Sequence, residues 1–138
     1  MKTYCIACIA IFCLLGSASR LFAEDTNTYN AVIVDRQGVT TDVLNVQYTP
    51  DSLSRSSKQS NVLYGWRGHA QVTIPWKKIR RIDFFDSKKE FNAIVMLRDK
   101  KKFVRIRVEA KTTEYNGKNS FGGTFRIRAE HIRSIIFK

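Results

Sequence analysis

The chain has 138 residues, with 24 lysines and arginines against 12 aspartates and glutamates, a formal net charge of +12. All three cysteines precede residue 14, so beyond that point disulfides, thiolate metal ligands and thiol nucleophiles are excluded. The remaining length is enough to bury one core without such staples, and the excess positive charge predicts attraction to anionic partners, screened by salt.

Residues 1–23 read as an export signal. Lys2 gives a short positive start, and Tyr4 to Leu15 is mostly apolar. That run is shorter than the roughly 20 residues a spanning helix needs. Gly16-Ser17-Ala18-Ser19 begins a small-residue stretch, and the chain turns abruptly polar at Glu24-Asp25 after Ala23. Cleavage after Ala18 is the alternative. Cys5, Cys8 and Cys13 lie inside this segment, and none stands after small residues at its end, where a lipidated cysteine belongs. Loss of Lys2 and Arg20 would leave 22 basic residues against 12 acidic ones, about +10. The expectation is an exported protein, periplasmic or secreted, with no transmembrane span once the signal is removed. Residues 24–138 then form a single β domain.

Glu24 to Tyr29 is polar and reads as a frayed start. Ala31 to Val34 is a β-branched run, Arg36-Gln37-Gly38 a turn, and Val39 to Tyr48 a second strand, together a hairpin. The stretch 49–61 has Pro50, several serines and few apolar side chains, and reads as a long flexible loop. Val62 to His69 leads back into order. Ala70 to Trp76 alternates, with Val72, Ile74 and Trp76 on one face. Pro75 cannot sit in a central strand, and the spacing of Ile79 and Ile82 predicts one short helical turn near 77–80. Ile82 to Phe84 resumes strand. Ala93 to Leu97 reads as a strand buried on both faces, and Arg98 to Lys101 as a turn. Val104, Ile106 and Val108 then alternate with Phe103, Arg105 and Arg107. Residues 112–123 read as a loop, with Asn116-Gly117 as a tight turn. A second short helical turn is predicted near 130–133.

One pattern occurs twice. Ile74, Ile79, Ile82 and Phe84 are matched by Ile127, Ile132, Ile135 and Phe137, 53 positions later. Asn30 to Val34 with Arg36 is matched by Asn92 to Met96 with Arg98, 62 positions later. The chain therefore reads as an internal duplication, about 30–84 and 92–137. The fold class is all-β: an antiparallel sandwich or small barrel built from two similar hairpin-plus-strand units. The strand, single turn, strand arrangement loosely resembles that of small five-stranded barrels.

Little is left over for chemistry. His69 lies in a glycine-flanked loop and His131 beside Glu130, and neither has the neighbours of a hydrolytic site. No spacing of His, Asp or Glu suggests a metal site, and no glycine-rich phosphate loop opens a helix. The reading is a non-enzymatic protein with no cofactor. Basic clusters are the better lead. Arg105 and Arg107 share one strand face, Arg126 and Arg128 another, and if those strands pair the four form an outward ladder. Lys77, Lys78, Arg80 and Arg81 flank the first helical turn. Lys100, Lys101 and Lys102 sit at a hairpin tip. Arginine suits bidentate contact with phosphate or carboxylate. Tyr64, Trp66 and Arg67, between glycines, form a candidate aromatic contact. The expected partner is an anionic surface or polyanion; on a lipid surface Leu63, Tyr64 and Trp66 would insert. The alternative is a structural module that pairs with a protein through an edge strand. Export and the lack of a recognition helix disfavour nucleic acid.

Overall fold

The computed structural model describes residues 28–49, 61–87, 89–99, 101–108 and 111–138. The expected export signal (1–23), residues 50–60 of the expected loop and Lys100 lie outside the described residues. Ten strands follow in chain order: β1 (Ala31–Asp35), β2 (Thr40–Thr49), β3 (Val62–Arg67), β4 (Ala70–Pro75), β5 (Ile79–Ser87), β6 (Glu90–Leu97), β7 (Phe103–Arg107), β8 (Glu114–Asn119), β9 (Thr124–Arg128) and β10 (Ile132–Phe137). They form one strongly curled antiparallel sheet, a half-barrel, in the order β4-β3-β7-β6-β5-β10-β1-β2-β8-β9. The architecture is thus all-β, as its alternating runs predict, and it is a single curled sheet rather than two facing ones.

Strand alternation puts one face of the sheet inside. Ala31 and Ile33 of β1, Ile82 and Phe84 of β5, Ala93 and Val95 of β6, and Ile135 and Phe137 of β10 are all buried in one core cluster. Register irregularities that place an extra residue in β2, β5 and β10 help it curl, since an extra residue bends a strand and increases its twist. The β2 irregularity contains Asn45 at φ 51°, whose backbone N–H donates to Asn30 Oδ1 at 3.0 Å. Asparagine tolerates that left-handed conformation better than most residues.

The two helical turns are single 3₁₀ turns at Trp76–Lys78 and Ala129–His131, each starting a residue before its predicted position. Pro75 ends β4, an edge strand, where its missing N–H removes no ladder bond. Trp76 then turns inward and is fully buried. Its indole meets Tyr29 edge-on at 5.6 Å, Tyr115 stacked at 6.3 Å and Phe137 at 5.3 Å between ring centroids. Burial raises the Tyr115 phenol above its ordinary range, with a smaller push from Tyr48, so it stays neutral in the fold.

Two sequence expectations are corrected here. Residues 114–119 are strand β8, so Asn116-Gly117 is not a turn. Gly117 sits where β8 crosses β2: a Cβ there would lie 2.5 Å from Val43 Cγ1 and 2.7 Å from the Leu44 carbonyl. The glycine is needed for close approach, not for a turn. The run 93–97 is not buried on both faces, because Ile94 is exposed and Met96 half-buried on the outer side.

The repeated motif maps onto repeated structure. Backbone N–H of Arg36 and of Arg98 donates to the carbonyl of the last 3₁₀ residue, His131 and Lys78, both at 2.9 Å. Val46 N–H donates to Tyr29 O and Val108 N–H to Phe91 O. Trp76 N–H donates to Asn61 O and Ala129 N–H to Thr113 O. The matching strands occupy mirrored places in the sheet order, with β5 and β10 at its centre and β4 and β9 at its ends. The halves interlace: β3, β4 and β5 lie beside β6 and β7, whereas β8, β9 and β10 lie beside β1 and β2.

Candidate functional site

Strand β3 buries Leu63 and Gly65 and turns Tyr64 and Trp66 outward. Strand β7 buries Ile106 and turns Phe103, Arg105 and Arg107 outward. The two strands meet at one register pair, Trp66 opposite Arg107. Gly65 permits the approach, since a Cβ there would stand 2.7 Å from the Arg107 carbonyl and 2.8 Å from Ile106 Cδ1. Two groups that are 38 or more residues apart in the chain, the Trp66-Arg67 pair and the Arg105/Arg107 pair, therefore share one surface.

That surface is a trough with two adjoining lobes. One, of about 310 Å³, is lined by Trp66, Arg67, Glu90, Asn92, Arg105 and Arg107 among others. The other, of about 390 Å³, shares Trp66, Glu90 and Arg107 and adds Lys89, Phe91, Val108 and Lys111. Five basic side chains and one carboxylate line the pair of lobes. Arg107 Nη1 lies 3.4 Å from Glu90 Oε1, and its guanidinium carbon is 6.0 Å from the centre of the Trp66 ring. The Arg105 guanidinium stands 4.9 Å over Phe85. Asn92, which is 5% exposed, donates from Nδ2 to the Glu90 carbonyl at 3.1 Å. Lys111 reaches Asp86 at 2.8 Å, and Arg36 reaches the same carboxylate at 3.1 Å. The Lys111 hydrogen bond, with the charges of Lys111 and Arg36, holds the Asp86 carboxyl below its ordinary range, although burial pushes the other way.

The remaining candidates lie elsewhere. Among the described residues β9 pairs only with β8, and six strands separate it from β7 in the sheet order. The four-arginine ladder therefore does not form. Arg126 instead lies 3.6 Å from Glu114, and Arg128 3.7 Å from Glu130. Lys77 and Lys78 are exposed on the first 3₁₀ turn. Arg81 bonds Asp83 at 2.8 Å on β5. Arg80 lines a separate depression of about 330 Å³ with Arg98, Lys101 and Phe103. Tyr64 is half-buried against the core. Leu63 is 1% exposed, so the sequence expectation that it inserts into a lipid surface is corrected.

Lys89, Glu90, Asn92 and Lys111 were not legible as site residues. Asn92 carried a signal, as the match to Asn30 in the repeat, but its opposition to Arg107 depends on the β6–β7 register. His69 is exposed in the β3–β4 turn, and His131 Nε2 lies 3.6 Å from Glu130. Among the described residues no three His, Cys, Asp or Glu side chains group as a metal site. No helix among them is long and apolar enough to cross a membrane. No protein-family model matches the chain, and no curated protein or solved structure matches it either.

Proposed function

We propose that the protein is an exported, non-enzymatic binding module that takes an anionic ligand or surface at the Trp66–Arg107 trough. The observation that supports this reading is the convergence of Arg67, Lys89, Arg105, Arg107 and Lys111 around a single lining carboxylate, Glu90. Arg105, Arg107 and Lys111 are tied to aromatic rings or to carboxylates on the rim, which fixes their positions. Fixed guanidiniums lose less freedom when they bind an anion. The paired backbone hydrogen bonds of the two halves support a duplicated origin for 30–84 and 92–137.

The test is co-sedimentation with anionic and neutral vesicles, and electrophoretic retardation by polyanions, at low and at physiological salt. Binding should be selective for anions and weaken with salt. Arg105→Gln with Arg107→Gln should reduce affinity at least tenfold, whereas Arg126→Gln with Arg128→Gln should change it little. No binding at either salt, or equal loss with both pairs, would remove the trough as the site.

A second reading, assembly through a strand edge, is supported by β4. It lies at one end of the sheet order and carries no charged residue, only Ala70-Gln71-Val72-Thr73-Ile74-Pro75. Strand pairing would persist in salt that abolishes ionic binding.

A further inference from the structure

We propose that the ligand of the trough is an acidic polysaccharide, bound extended across β3, β7 and β6. This rests on the anionic reading above and names its ligand class. Three properties of the trough select among anions.

The first is its shape. The two lobes adjoin through Trp66, Glu90 and Arg107, which line both. An open, two-lobed channel on a sheet face fits a chain that runs on past both ends better than it fits a compact anion.

The second is the spacing of its floor. Trp66 faces Arg107 and Arg107 faces Asn92, so three planar side chains stand in one row across β3, β7 and β6, and Gln71, opposite Trp66 on β4, continues the row beyond the lobes. Neighbouring strands lie about 4.8 Å apart, close to the length of one pyranose unit in an extended glycan. Successive sugars would meet successive side chains. A pyranose offers a C–H face to an indole and hydroxyls to amides and guanidiniums. Asn92 is held in place by its bond to the Glu90 carbonyl, so it serves as a preorganised hydroxyl partner.

The third is the kind of cation. Arg67, Arg105 and Arg107 present planar forks that match a carboxylate or sulfate in two bonds, and a polyuronate offers one such group per sugar. A lipid surface would call instead for clustered apolar inserts beside the cations. Of the exposed large apolar residues, Ile94 and Phe103 lie near Arg105 but line neither lobe, and Val39, Leu44 and Phe121 sit on other segments.

The probes are an oligogalacturonate, its uncharged methyl ester, a heparin oligosaccharide, inorganic polyphosphate and phosphatidylglycerol vesicles, titrated against the exported form. At least one acidic glycan should bind more tightly than polyphosphate or the vesicles, and methyl esterification should lower galacturonate affinity at least tenfold. Trp66→Ala should lower glycan affinity about tenfold, as loss of one stacking partner does, and should lower polyphosphate affinity much less. Trp66→Tyr, which keeps a ring, should retain most of the affinity, and thermal melts of both variants exclude simple unfolding. If polyphosphate or vesicles bind as tightly as every glycan, or Trp66→Ala changes nothing, the polysaccharide assignment is wrong and the general anionic reading stands. If no anion binds, both fall.

Discussion

Gly65 and Gly117 occupy corresponding points of β3 and β8, each where a strand of the other half crosses closely. A methyl group at either would press on a backbone carbonyl, Arg107 O or Leu44 O, at 2.7 Å, nearer than real Cβ atoms approach. Gly65→Ala and Gly117→Ala should each destabilise the fold by about 1–3 kcal/mol, the usual effect of overpacking, measured as a drop in the urea midpoint. An unchanged midpoint would mean that the crossings can relax. Gly65→Ala should also weaken ligand binding, because it moves Arg107. The glycines show where sequence reading fails at this scale. Asn-Gly is the strongest short-range hairpin signal, so Asn116-Gly117 reads as a turn; the reason for the glycine lies on β2, some 70 residues away in the chain. Tyr115 gives a pH prediction. Its folded pKa is raised above the free value of 10.0, chiefly by burial. The stabilisation from a neutral, buried phenol is therefore complete below pH 10 and is lost as pH rises above it, when the unfolded chain ionises first. The urea midpoint should fall steeply above pH 10, and Tyr115→Phe should flatten that fall; an equal slope in both proteins would assign the alkaline limb to other groups.

Among elements, the 3₁₀ turns and the strands around them were legible because their determinants are local. Pro75 stops β4, and isoleucines three apart place one turn on the core. Partner choice was not legible. Arg105 and Arg107 alternate outward just as Arg126 and Arg128 do, and alternation says nothing about whether β7 and β9 are neighbours. The structure sets β7 beside β3, which joins two candidates that are far apart in sequence and separates the four arginines. The sheet ends also differ in kind. β9 carries Arg126 and Arg128, charges that discourage pairing with another chain. β4 has exposed Gln71 and Thr73 and no such charge. If β4 pairs with a partner strand or a second copy, Thr73→Lys should abolish that association while leaving polyanion binding intact, read by sedimentation velocity at high and low salt. A β4 association that survives Thr73→Lys would remove this edge as the interface.

At the scale of the whole molecule, the interlacing decides how the chain can hold together. Within the first half the ladders are β1–β2 and β3–β4, and within the second they are β6–β7 and β8–β9, all hairpins. Each other pairing among the described residues joins one half to the other: β1–β10, β5–β10, β2–β8, β3–β7 and β5–β6. The spacing of the isoleucines suggests two similar units, but such a pattern would look the same if each unit closed on itself. The core is shared in the same way, since Trp76 of the first half packs on Tyr115 and Phe137 of the second. Isolated hairpins are at best marginally stable in water, so neither half should fold alone. Fragments 24–88 and 89–138 should each lack a cooperative melt, and mixing them should restore the near-ultraviolet signal of the packed aromatic cluster. The trough should return with it, because Trp66 and Arg67 come from one fragment and Lys89, Glu90, Arg105 and Arg107 from the other. A cooperative transition in either fragment by itself would show that one half closes without its partner, and the interlaced pairing would then not be what holds the native sheet.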